Sequence, residues 1–103
     1  MDLALLSDVL FGRSMRLPIA IFVLEKESGL VYPLEIAEEL GHKPTYVAQE
    51  LGRLASIGMV TELPKGDSRR RYFQRLDHPY WRIIKIAKGA ASDAPQERTK
   101  YST

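Results

Sequence analysis

PLEIAEELGHKPTYVAQELGRLASIGMV, residues 33–60, decides how this chain is read. Pro33 stands where a helix opens, a position at which its missing N–H costs nothing. Glu35 follows in the first turn, on the favourable side of the helix dipole. Leu34, Ile36, Ala37 and Leu40 fall at inward spacing, while Glu35, Glu38 and Glu39 face water, so the pattern predicts a helix over Pro33–Leu40. Gly41 suits the left-handed cap that ends such a helix. His42 and Lys43 make a tight turn, and Pro44 opens a second helix running to about Ile57. Val47, Leu51 and Leu54 form its buried stripe, continued by Ile57, and Gly58 ends it.

Working outward toward the C-terminus, residues 59–63 read as a strand. Pro64-Lys65-Gly66-Asp67-Ser68 is a turn cluster, and residues 69–76 read as a returning strand. The two make a β-hairpin with a basic tip; parity leaves open whether Tyr72 or Phe73 faces the core. Asp77 is placed to cap a last helix with Pro79 near its start, carrying Tyr80, Ile83, Ile84 and Ala87 on one face and Trp81 beside it. From Gly89 the residues lack periodicity and read as a disordered tail, 89–103, behind a domain of residues 1–88.

Toward the N-terminus, Leu30-Val31-Tyr32 is long enough only for an edge strand or an extended link. Before it, a helix starting near Ser14, with Pro18 early in it, is apolar nearly all round up to Leu24. That is the mark of a buried helix. Leu3, Leu6 and Leu10 put a further short helix over Leu3–Phe11, and Gly12 caps it. So short a helix is marginal alone and must pack on something.

The composition narrows the classes of function. Without cysteine there are no disulfides, thiolate metal sites or cysteine nucleophiles. No apolar run reaches the roughly 20 residues of a membrane span, and the N-terminus lacks a basic signal-peptide region, so a cytoplasmic protein is expected. No phosphate-binding glycine loop, H-E-x-x-H or evident nucleophile–base pair marks an enzyme. Charge is uneven: residues 1–62 hold five basic and nine acidic side chains, whereas residues 63–103 hold ten and four. An acidic front and a basic back, densest at Lys65, Arg69, Arg70, Arg71 and Arg75, fit a polyanionic partner.

Two short helices joined by a glycine turn have helix-turn-helix geometry. This arrangement suits duplex DNA because the first helix braces the backbone while the second offers its first turns to the major groove. The segment RLPIAIFVLEKESGLVYPLEIAEELGHKPTYVAQELGRLASIGMVTELPKGDSRRRYFQRL, residues 16–76, resembles the winged helix-turn-helix of bacterial and archaeal transcription regulators, closest to the ArsR type, with PadR and MarR types as near relatives. Ala37, the Gly41 turn, the Leu51/Leu54 stripe and the exit IGMV carry the resemblance. Lys43 departs from it where a small polar cap is usual, and Gly52 lies inside the second helix at about 1 kcal/mol of propensity. The implied fold is mainly α with a small β-hairpin wing, in the order α-α-(β)-α-α-β-β-α.

What the resemblance implies is a sequence-specific double-stranded-DNA-binding transcriptional regulator. In such a recognition helix the outward residues near the start, Thr45, Tyr46, Gln49 and Glu50, are the candidates for base contact. Gln49 has the groups for a bidentate contact to adenine. Lys43, Arg53, Lys65, Arg69, Arg70 and Arg71 are the candidates for phosphate, with Arg75 far enough from the tip to brace the fold instead. Leu3, Leu6, Leu10, Tyr80, Trp81, Ile83, Ile84 and Ala87 exceed what one face of a small monomer needs, so a homodimer built on the terminal helices is expected. Metal ligands of the type used by ArsR-like sensors are missing beyond Asp77 and His78, so neither metal nor cofactor is expected, and no effector is indicated. The rival reading is a winged helix used as a protein-interaction module without base readout, in which the same polar positions are an ordinary solvated face and the arginines are idle.

Overall fold

The computed structural model describes residues 3–66 and 69–101, so Asp67 and Ser68 of the expected turn lie outside the described residues. Five helices and three strands follow in the order α1 (Leu3–Phe11), α2 (Arg16–Glu25), β1 (Leu30–Val31), α3 (Pro33–Leu40), α4 (Pro44–Ser56), β2 (Val60–Glu62), β3 (Phe73–Arg75) and α5 (Trp81–Tyr101). This is the expected mainly helical fold with a small wing.

Leu30-Val31 resolves as a true edge strand. The sheet order is β1-β3-β2, all antiparallel, with Val31 opposite Phe73 and Glu62 opposite Phe73 on the other side. Phe73, not Tyr72, is the inward residue and is fully buried. The ladder is shorter than the expected strands. Leu63 N–H still reaches the Tyr72 carbonyl at 2.9 Å, but Pro64 follows with no N–H to donate, so pairing stops there.

α2 runs through the centre, with Leu17, Ile19, Ala20, Ile21 and Val23 all buried. It starts at Arg16 rather than near Ser14, because its cap comes from another helix. The Ser7 hydroxyl of α1, fully buried, accepts from Leu17 N–H at 2.8 Å and donates to the Arg13 carbonyl. An orphan donor of the first turn is thereby satisfied without a local side chain. At the other end, Arg75 Nη1 donates to the carbonyls of Val23, Leu24 and Lys26 at 2.7, 3.1 and 2.7 Å. Arg75 thus braces the fold, as its distance from the tip implied.

α3 opens as expected: Glu35 Oε1 accepts from Tyr32 N–H at 3.3 Å, and Pro33 occupies the first turn. Gly41 caps it at φ 69°, a conformation that only glycine adopts without strain, and His42 N–H returns to the Ala37 carbonyl at 2.9 Å. The stripe Val47, Leu51 and Leu54 of α4 is buried as expected.

α5 departs from expectation at both ends. Asp77 does not cap it. Residues 77–80 first make a turn in which Tyr80 N–H donates to His78 Nδ1 at 3.1 Å, and the helix starts at Trp81. Nor does it stop at Gly89: Gly89, Ala90 and Ala91 are helical and Ala91 is buried, so the helix continues past the point where the disordered tail expected over residues 89–103 would begin. Alanine carries the highest helix propensity, and the inward stripe Ile84, Ala87 and Ala91 gives that stretch a face to bury.

That stripe also corrects part of the expected dimer surface. Trp81, Ile84 and Ala87 belong to the chain's own core, with Trp81 Nε1–H shared between the carbonyls of Leu76 at 3.0 Å and Met59 at 3.2 Å. Leu3 and Leu6 pack against that core from α1. The side chains left outside are Leu5, Val9 and Leu10 on α1 and Tyr80, Ile83 and Ile86 around α5. Among the described residues no helix is long and apolar enough to cross a membrane.

Candidate nucleic-acid interface

α4 presents three distinct sides. Val47, Leu51 and Leu54 enter the core. Thr45 and Gln49 are exposed on the opposite side, and Gly52 continues that side without a side chain. A Cβ built on Gly52 meets nothing within 4 Å, so its small size leaves the outer face clear rather than serving internal packing. Lys43, exposed, precedes the helix at its N-terminus, where it adds charge without capping.

The third side corrects one of the expected base readers, Glu50, and places another, Tyr46, only partly in solvent. Glu50 is only 2% exposed. Its carboxylate accepts from Arg16 Nε at 2.7 Å and lies 3.2 Å from Arg53 Nε. A buried carboxylate held between two guanidinium groups cannot reach a base edge, so Glu50 leaves the candidate set. The pairing holds the Arg16 guanidinium above its usual range, chiefly through the hydrogen bond. Tyr46, expected to be exposed, is half-buried against the core. Its ring lies 4.4 Å from that of His42 and 5.9 Å from the Arg13 guanidinium. Arg53, more than half exposed, remains at the edge of this side with its charge partly answered by Glu50.

The sequence signal for Glu50 existed. It stands three residues after Val47 and four before Leu54, within the inward stripe. Arg16 and Arg13 were missed because nothing local marks them. Arg16 meets Glu50 across 34 residues of chain.

The wing lies beside the outer face of α4. Its return arm brings Arg69, Arg70 and Arg71 to a groove of about 600 Å³ shared with Tyr32, Pro33, Leu34, Pro44, Thr45 and Ala48. The candidate base reader Thr45 and three of the candidate phosphate residues therefore line one surface, and Lys65 is exposed near the tip. The three arginines are not equivalent. Arg70 stacks over Tyr32 at 4.0 Å from the ring centroid, and Tyr32 meets Tyr72 edge-on at 5.6 Å. Arg71 makes a two-point contact with Glu62 across the hairpin, at 2.8 and 2.9 Å. That contact holds the Glu62 carboxyl below its ordinary range. Arg69 is exposed. The stacking and pairing order two long side chains that would otherwise lose rotamer freedom on binding.

No protein-family model and no curated protein sequence matches the chain. Solved structures do resemble it. The AntR antimony-specific transcriptional repressor superposes with a TM-score of 0.67 at 23% identity, over 89% of this chain and 78% of that one. Wild-type MarR from E. coli gives 0.71 at 21% identity, over 98% and 74%. A MarR-family transcriptional regulator from Streptomyces coelicolor gives 0.63 at 20% identity, over 97% and 77%. At these identities the likeness is one of fold, and with the helix order and three-stranded sheet it establishes that this chain is a winged helix.

Proposed function

We propose that the chain is a transcriptional regulator that binds double-stranded DNA sequence-specifically as a homodimer. One observation carries the reading: Thr45, on the solvent side of α4 that also bears Gln49, lines one groove with a wing that concentrates Arg69, Arg70 and Arg71. Thr45 and Gln49 read bases; Lys43, Arg53, Lys65 and the three wing arginines contact phosphate. The solved structures of similar fold carry the names of transcriptional regulators, which supports the assignment. An ArsR-type affiliation is the finer part of the proposal and rests on the sequence pattern over residues 16–76. A location in the cytoplasm at the nucleoid follows from the same reading, and no effector is assigned.

Homodimerisation is proposed through the apolar residues that the single chain leaves outside. Leu5, Val9 and Leu10 of α1 and Ile83 and Ile86 of α5 are all at least half exposed. A two-fold axis lets such a patch bury itself against its copy and presents two α4 helices to half-sites about 34–36 Å apart.

Selection of bound duplexes from a random pool, followed by titration across salt, tests the reading. The expected outcome is an enriched inverted repeat whose affinity falls steeply as counterions compete. Failure to enrich any sequence, with affinity indifferent to salt, refutes it.

A further inference from the structure

We propose that Arg16 is a positioning residue for base reading, acting through Glu50 to set the rotation of α4 about its axis. The inference rests on the DNA-binding reading above and deepens it.

Glu50 is a buried carboxylate, and it sits on the helix proposed to enter the groove. A carboxylate in such a place is costly to desolvate unless its partners are held in place. Arg16 is held in that way. While its Nε donates to Glu50, its Nη1 donates to the Phe11 carbonyl at the end of α1, at 2.9 Å. One guanidinium therefore ties α1, the start of α2 and the middle of α4. A second tie lies one turn earlier on the same side of α4, where Arg13 of the α1–α2 junction faces the Tyr46 ring. Tyr46 and Glu50 are four residues apart, so the junction grips α4 along a line parallel to its axis.

Such a grip resists rotation, and rotation is what base reading cannot tolerate. Apolar contacts at Val47, Leu51 and Leu54 fix how deeply α4 sits, but they are non-directional. Ion pairs with hydrogen-bond geometry fix its angle. Thr45 and Gln49 lie on the neighbouring side of the helix, so their aim follows that angle. The Phe11 contact extends the coupling to α1, whose outer residues Leu5 and Val9 are proposed above to meet the second copy.

Opposite charge changes at the two partners test this on the full chain. Arg16→Met removes a positive charge and Glu50→Gln removes a negative one, the latter keeping a hydrogen-bonding group. Positioning predicts that both variants lose discrimination between the selected site and random duplex by about tenfold or more, with Arg16→Lys intermediate. If Arg16 instead contacts phosphate, Arg16→Met weakens binding to every sequence while both variants leave discrimination unchanged; that result overturns the proposal. Should the unmodified chain discriminate no sequence, the regulator reading fails, and amide hydrogen exchange decides the clamp by itself. Exchange over residues 47–54 accelerated about tenfold in both variants, with residues 33–40 unchanged, then supports it; exchange unchanged at 47–54 overturns it.

Discussion

Replacing Arg75 by Met should destabilise the wing and α2 together, without weakening contact with DNA. Methionine keeps an apolar stem along the same path and removes the guanidinium head. In the native chain Nη1 serves the carbonyls of Val23, Leu24 and Lys26 at the open end of α2. That nitrogen carries two hydrogens, so three acceptors share two full bonds. Hydrogen bonds to a charged group contribute about 1.5–3 kcal/mol each. The site is half-buried and the freed carbonyls gain some water, so the lower end applies, giving about 3 kcal/mol for the pair of bonds. For a domain of this length each kcal/mol lowers Tm by about 4–8 °C, so the expected loss is about 12–24 °C. Thermal and urea unfolding followed by circular dichroism measure it, and Arg75→Lys should fall between. A change within about 0.5 kcal/mol would refute the assignment of Arg75 as a helix cap. In titrations of random duplex the salt slope of the folded variant should equal that of the parent. Arg70→Met, by contrast, should reduce it by about 0.9 for one lost phosphate contact.

Glu62→Gln should strengthen binding to any duplex at low salt, since it frees Arg71 and removes a negative charge from the wing; fluorescence anisotropy giving equal or weaker affinity would argue against a phosphate role for Arg71. The same pair has a pH signature. Arg71 depresses the Glu62 carboxyl, so its stabilisation is present above the unfolded value of about 4.3 and fades as pH falls through the lower folded value. With both partners more than a third exposed the loss should be below about 1 kcal/mol, and it should be absent in Glu62→Gln when acid unfolding is compared. Ser7→Ala should cost about 1–3 kcal/mol in urea unfolding by leaving Leu17 N–H buried without its acceptor. Ile86→Glu, at a residue 71% exposed in the single chain, should convert dimer to monomer in sedimentation with little change in helicity, whereas Ile84→Glu should unfold the chain; a dimer that survives Ile86→Glu lies elsewhere.

The helix-turn-helix was legible because its signals are local. Pro33, Gly41 and Pro44 punctuate the chain by backbone chemistry alone, and Val47, Leu51 and Leu54 recur at a period that only a helix satisfies. Charge clustering in the wing was legible in the same way, since Lys65 and Arg69 to Arg71 are neighbours in sequence. Roles that depend on distant partners were not. Glu50 stands within the inward stripe, but its partner is invisible in sequence: Arg16 arrives from α2 across 34 residues to make it a buried anchor. Trp81, Ile84 and Ala87 read as surplus apolar residues until α2 covers them, which moves the exposed stripe to Ile83 and Ile86. Ser7 and Arg75 look incidental in their own segments, yet each caps an end of α2. Periodicity and turn chemistry are properties of a few consecutive residues and so survive in one dimension. The choice of which polar side chain meets which backbone group, and which apolar face is left for another molecule, is made only when helices far apart in sequence are brought into contact.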